Sequence, residues 1–393
     1  MTDSTAEPRL RVGIVGCGGI AHSHVRAYLA NPRADLVGVY DIDADRATAF
    51  AAEHGTTPYG TLRELSGQAP DLVSVATPPG SHTAVTVALL EAGCSVLLEK
   101  PPTTNLAELD ILAAAEASSA GRVYGVFQHR HGSGARRAHR LLNSGALGVP
   151  RVAVCATLWY RPDSYFQPDW RGNWVGEGGG PTLGHGIHQI DLLLHLMGEW
   201  DSLDATAARI ARPVEFEDVS MAVVTFANGA LASVLTSLLS PRELSRIRID
   251  TTVGTLEVDH VYGYRDADWS WSPAPDAAAA ADNGRDPGSA GSNGGGRFTP
   301  VGADAWTASA GTDVPSNHAA QINELIDDLL AGRSHATTLA STRPTMELVT
   351  ALYASAIEGE TIRRSDLTRD RGFYHRLDGG LPAELVSSRL RLA

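Results

Sequence analysis

The sequence predicts an α/β protein in two parts. Residues 8–130 read as a doubly wound parallel sheet, and residues 131–393 as an α+β domain with a large open mixed or antiparallel sheet. Three observations predict this division. A short apolar strand runs directly into Gly16-Cys17-Gly18-Gly19-Ile20-Ala21 and then a helix. Strand and helix patterns then alternate as far as Phe127. Beyond residue 131, strand patterns are joined by tight turns such as Asn228-Gly229 and Val253-Gly254, which signal antiparallel pairing.

The first strand, Leu10 to Val15, opens a G-x-G-x-x-A loop. Gly16 permits the tight turn and Gly18 lets the backbone approach a pyrophosphate. Gly19 and Ile20 complete the loop, and small Ala21 allows close helix–strand packing. The helix start then offers free N–H groups to phosphate. A second strand ends in Asp41, about 20 residues on, where an acid can bind an adenosine ribose. No arginine follows Asp41 immediately to receive a 2′-phosphate, so NAD is expected rather than NADP. Asp43 and Asp45 read as caps of the next helix, which Gly55 ends. The strand Leu72 to Ala76 closes in Thr77-Pro78-Pro79-Gly80-Ser81-His82. After a further helix comes Val96-Leu97-Leu98-Glu99-Lys100-Pro101-Pro102, then another helix and the strand Arg122 to Phe127, ending at Gln128. Ligands of such Rossmann sheets lie at the carboxyl ends of the strands, where Thr77, Pro78, Glu99, Lys100 and Gln128 all sit. His82 reads equally as a local cap or a ribose contact.

Lys100 is the only lysine among the 32 Lys and Arg residues. Arginine serves most surface roles equally well, so a lone lysine marks a place where arginine fails. A partly buried lysine lowers its pKa and exchanges a proton; arginine stays charged. Lys100 is therefore the leading catalytic candidate.

In the second part, strands are predicted at Arg151 to Leu158, Asp218 to Phe226, Ala230 to Leu238, Ser245 to Thr251 and Thr255 to Val258. Helices are predicted near His318 to Leu330 and Arg343 to Glu358. Residues 273–315, rich in Ala, Gly, Ser, Pro and Asp, read as a flexible insertion. Arg136, Arg137 and Arg140 have the spacing of a solvated helix face. A glycine-rich run leads into His185-Gly186-Ile187-His188-Gln189-Ile190-Asp191, continuing as a helix to Gly198. His188, Asp191 and His195 share one face of that helix, and a carboxylate beside a histidine suits acid–base work. His185, His188, Asp191 and His195 could also be read as a zinc set, but the flanking glycines offer no second shell, and no metal is expected. His195 reads as a hydrogen-bonded core residue. Upstream, Tyr160, Arg161, Asp163, Tyr165, Trp170, Arg171 and Trp174 interleave rings with charges. That suits a polyhydroxylated ligand, or equally a loop pinned by its aromatics.

The formal net charge of −13 argues against nucleic acid or anionic membrane as the partner. Three unpatterned cysteines and a polar N-terminus suggest a reduced, cytoplasmic setting. The uncharged run Met221 to Ser240 contains Asn228-Gly229 and is a hairpin rather than a membrane span.

In order along the chain, the loop Gly16 to Ala21, Asp41, Ala76-Thr77-Pro78-Pro79, Glu99-Lys100-Pro101 and Gly186-Ile187-His188-Gln189-Ile190-Asp191 resemble the glucose-fructose oxidoreductase / inositol dehydrogenase / rhizopine catabolism family. The resemblance spans nearly the whole chain. It implies hydride transfer between nicotinamide and a sugar, polyol or sugar derivative, and homo-oligomers built on the second sheet. It implies Lys100 and His188 as catalytic residues with Asp191 behind them, and Gln128 and Arg130 near nicotinamide and substrate. Trp170, Arg171 and His185 join Lys100, Arg130 and His188 as expected substrate contacts. One departure stands out: inositol dehydrogenase-like members carry an Asp four residues before the histidine, and this chain has Gly184. Two other readings of the same residues are an NAD-dependent glycosidase working by transient oxidation and a non-catalytic NAD-binding sensor.

Overall fold

A computed structural model of the chain describes residues 8–275, 306, 307 and 309–390. The first sheet consists of β1 (Leu10–Val15), β2 (Ala34–Tyr40), β3 (Pro58–Tyr59), β4 (Leu72–Val75), β5 (Ser95–Leu98) and β6 (Val123–Gly125). Its order is β3-β2-β1-β4-β5-β6, with every pair parallel. The strands are short and apolar because both faces are covered by helices; β4 is buried along its whole length. Asp43 caps the second helix through the Arg46 amide, and Gly55 ends it in the left-handed region at φ +67°.

The second sheet holds eight strands: β7 (Pro150–Tyr160), β8 (Trp200–Ala208), β9 (Val219–Phe226), β10 (Leu231–Ser237), β11 (Leu239–Thr251), β12 (Gly254–His260), β13 (Trp269–Pro273) and β14 (Ile362–Arg363). Its order is β13-β12-β11-β7-β10-β9-β8-β14, and only β7 with β10 runs parallel. One face packs on the helices Ile187–Met197 and Leu339–Glu358. Alternation along β9 and β10 follows from this: Ala222, Val224 and Val234 point into the core, while Met221, Val223 and Leu231 face outward.

Three strands escape the sequence pattern. β8 is rich in Ala and Asp, β13 is short, and β14 is a two-residue edge. β11 starts at Leu239, ahead of the expected Ser245, because a register shift between Leu239 and Leu244 interrupts its alternation. The helix His318–Leu330 returns to the first sheet, placing Ile322, Leu325 and Ile326 in the core with Val12, Ile14 and Val25. The expected insertion lies mostly outside the described residues. Its described parts are the end of β13 and a short return segment from Trp306. That tryptophan corrects the view of Arg137 as a solvated residue. The Arg137 guanidinium lies 3.8 Å from the Trp306 ring centroid, pairs with Asp266 at 3.2 Å and is buried. Among the described residues no helix is long and apolar enough to cross a membrane.

Candidate functional site

β1 delivers the glycine loop to the carboxyl edge of the first sheet. Gly16 turns there at φ +91°, and a Cβ on it would meet the Ala76 carbonyl at 2.7 Å. Gly18 and Gly19 instead face open space, with nothing within 4 Å of a Cβ. The helix Ala21–Ala30 begins without a side-chain cap; its Ala21 and Ser23 N–H groups turn back to the Gly18 and Ile20 carbonyls. Asp41 Oδ2 accepts the Cys17 N–H at 2.8 Å, which ties the acid expected at the ribose to the glycine loop. These residues fit the pyrophosphate and ribose of NAD. Arg46, one helical turn beyond Asp41, reaches its carboxylate at 3.3 Å, a cation that inspection of the adjacent residues alone misses. Asp41→Ala is expected to weaken NAD binding at least about 10-fold, since one charge-assisted hydrogen bond is lost. Fluorescence titration with NAD checks this, and unchanged affinity would remove Asp41 from the site. Thr77 accepts from the Ser81 hydroxyl at 2.8 Å, and Pro78 enters the short turn Pro79–Ser81 that follows.

At the reacting end, β5 carries Lys100 to the second domain, where its Nζ donates to the Gly184 carbonyl at 2.7 Å. Gly184 lies in a wide π-type turn, Thr182–Gly186, that opens the helix Ile187–Met197. The position of the missing family acid is therefore answered by a backbone carbonyl, and a Cβ at Gly184 would meet nothing within 4 Å. Burial lowers the Lys100 pKa, against the attraction of Glu99. His188 is buried, and its Nδ1 has no hydrogen-bond partner. Burial first, then the charge of Lys100, hold its pKa well below the ordinary 6.5, so the ring is neutral. His185 lies 3.3 Å from the Tyr165 hydroxyl, which also accepts from Arg171. The Arg171 guanidinium sits between the rings of Tyr165 and Trp170, 3.9 Å and 4.1 Å from their centroids, and pairs with Glu177 at 2.9 Å. The charge of Lys100 reaches both His185 and His188, and Tyr165 and Arg171 stand around His185.

Several expected site residues are placed elsewhere. Asp191 does not reach His188: its carboxylate takes both forks of the Arg130 guanidinium and the Thr345 hydroxyl. Arg130, expected at the substrate, is spent on this buried pair and on the carbonyls of Ala336 and Ser341. Glu99, expected at the cofactor, keeps its carboxylate inside the protein, where His24, His318 and the Lys100 amide hold it. Both His82 nitrogens face backbone carbonyls, those of Pro101 at 2.8 Å and Thr77 at 2.9 Å, and its ring is fully buried. That is a brace between strand ends rather than a ribose contact. Gln128 donates to the Tyr262 hydroxyl. Tyr262, unremarked in the sequence, sets its ring 5.9 Å from His188 and 5.1 Å from His129.

The four-residue zinc set is not assembled, because Asp191 belongs to Arg130 and His195 stacks on His139 with centroids 3.9 Å apart. Among the described residues, three groups are close enough to hold a cation: His22, Glu53 and His54; His24, Glu99 and His318; and Glu324, Asp328 and His335. Hydrogen bonds or ion pairs already link members of each group.

Behind the π-turn lies Glu217, fully buried, with Oε1 accepting from the Thr182 N–H at 3.1 Å and the Tyr353 hydroxyl at 2.8 Å. Burial pushes its carboxyl up to about 7, from 4.5. The folded state therefore keeps a proton that the unfolded chain releases between those values, and stability falls as pH rises through that window. Glu217→Gln is expected to gain up to about 3 kcal/mol at pH 8 and almost nothing at pH 5. Thermal melts at the two pH values check it; an equal shift at both would contradict it.

The oxidoreductase family described as having an NAD-binding Rossmann fold, GFO/IDH/MocA, matches residues 10–127, and the GFO/IDH/MocA C-terminal domain matches residues 135–257. UDP-N-acetylglucosamine 3-dehydrogenase of Acidithiobacillus ferrooxidans is 29% identical over 247 residues, covering 61% of this chain and 71% of its own. D-glucoside 3-dehydrogenase of Escherichia coli is 30% identical over 203 residues, 49% of this chain and 55% of its own. The WlbA dehydrogenase of Bordetella pertussis, solved with NADH and UDP-GlcNAcA, superposes with a TM-score of 0.74 at 25% identity, covering 90% of this chain and 98% of its own. With both domain families matched in order over the two sheets described above, the chain belongs to the GFO/IDH/MocA oxidoreductases.

Proposed function

We propose that this protein is an NAD-dependent dehydrogenase that oxidises a secondary alcohol of a sugar, polyol or nucleotide-linked sugar, or reduces the matching ketone. The observation that carries the reading is the Lys100–His188 pair: a half-buried amine at a strand end, whose charge acts on a neutral imidazole with an unpartnered nitrogen. Bound NAD supplies the acceptor for the carbinol hydrogen and its electron pair. Lys100 donates a hydrogen bond to the alcohol oxygen, in place of the Gly184 carbonyl. His188, neutral at working pH, takes the hydroxyl proton, while the charge of Lys100 stabilises the oxygen that loses it. Tyr165, Trp170 and Arg171 offer ring faces and donors to the rest of a polyhydroxylated substrate.

The test is nicotinamide absorbance as purified protein meets NAD or NADP with a panel of polyols, glycosides and UDP-sugars. Reduced nucleotide accumulating with one substrate class is expected. Glycoside cleavage without net reduction would favour the transient-oxidation glycosidase, and binding without any turnover would favour the sensor.

The outward face of β7, β10 and β9 brings Val152, Val154, Met221, Val223 and Leu231 together, all more than a third exposed. Such a contiguous apolar patch supports self-association. Light scattering is expected to give a multiple of the chain mass, reduced by Val223→Glu; a wild-type monomer would contradict it.

A further inference from the structure

Glu99 is gripped by two histidines from distant parts of the chain and by the amide of the next residue. His24 Nε2 lies 2.9 Å and His318 Nε2 3.0 Å from Glu99 Oε1, while Oε2 accepts the Lys100 amide N–H at 3.0 Å. His24 stands on the buried stripe of the first helix with Ala21, Val25 and Tyr28, where an apolar residue would satisfy the packing. Its Nδ1 lies 2.9 Å from Ser74 Oγ, which lies 2.6 Å from the Tyr28 hydroxyl. Burial keeps His24 neutral, so a ring donating from Nε2 must accept at Nδ1. Ser74 then donates to His24, and Tyr28 donates to Ser74. Every proton along this line points towards Glu99. His318 opens the helix Asn317 caps, and that helix packs on the first sheet.

A buried carboxylate is costly unless well provided with donors. Here the donors come from His24 and His318, and they hold the Glu99 carboxyl well below the usual range despite its burial. The beneficiary is the neighbouring residue. Around Lys100, Glu99 and Glu177 attract while Arg171 and Arg161 repel, and Glu99 is the strongest of the four.

We propose that His24 and His318 are positioning residues of the reaction: through Glu99 they fix the main chain of Lys100 and maintain the negative charge behind its amine. This rests on the reading of Lys100 as the group that binds the reacting oxygen. With either donor removed, the Glu99 carboxylate loses a hydrogen bond that fixes it, and its charge is no longer held in place behind Lys100.

Because Lys100 is the only lysine, protein grown with lysine carrying carbon-13 at the ε position gives a single side-chain resonance. Its shift against pH reports the titration of that one amine without any substrate. In the wild type the midpoint is expected below the ordinary 10.5. His24→Leu and His318→Leu are expected to lower it further, by about one pH unit or more. His318→Gln, whose amide can still donate, is expected to restore the wild-type midpoint. A merely structural role would lower the melting temperature and leave the midpoint unmoved. Unmoved midpoints in folded His318→Leu would overturn the proposal while leaving the dehydrogenase reading intact. An ordinary midpoint in the wild type would instead overturn the role given to Lys100, and this proposal with it.

Discussion

Lys100→Arg is expected to lower turnover about 100-fold or more while NAD still binds. Arginine keeps the positive charge, but its longer planar fork does not fit a site shaped around one amine donating to one oxygen. The cofactor cradle at Gly18, Gly19 and Asp41 is built from other elements, so NAD affinity should survive. Steady-state rates beside an NAD titration separate the two effects. Near-normal turnover would remove Lys100 from the chemistry.

The second large effect concerns stability. Arg130→Met leaves the Asp191 carboxylate buried with only the Thr345 hydroxyl as partner. Stranding one member of a buried ion pair costs about 3–5 kcal/mol, which should lower the melting temperature by on the order of 10 °C. The double variant Arg130→Met with Asp191→Leu should recover most of that loss, since apolar groups of similar volume replace such pairs at little cost. Circular dichroism melts of the three proteins check this. A single variant as stable as the wild type would show that water or another group reaches Asp191.

The contrast between these two residues shows what the sequence made legible. Lys100 is readable because its cue is local: an apolar run, an abrupt charge and two prolines that force the chain to turn. The glycine loop and Asp41 are readable for the same reason. Asp191 misleads because helical spacing places it near His188 in sequence, whereas its partner Arg130 stands 61 residues away. Periodicity reports which residues share a face but not what packs against that face. Glu99 differs in the same way: its place at a strand end suggested the cofactor, and its two histidines come from residues 24 and 318. His24 left a faint trace, a polar ring within the buried stripe of the first helix. Arg137 left none, since Trp306 reaches it from 169 residues away. In the second sheet, strands with clean alternation such as β9 and β10 were legible, while β8, with few β-branched residues, was not.

Transfer of the carbinol hydrogen is the step on which the account turns. The most direct test takes whichever substrate reduces NAD in the panel, deuterates it at the reacting carbon, and recovers nucleotide and product from wild type and Lys100→Met. In the wild type, deuterium is expected on the nicotinamide ring with the matching ketone as product, and in Lys100→Met almost none. Deuterium lost to solvent, or undiminished transfer in Lys100→Met, would contradict it.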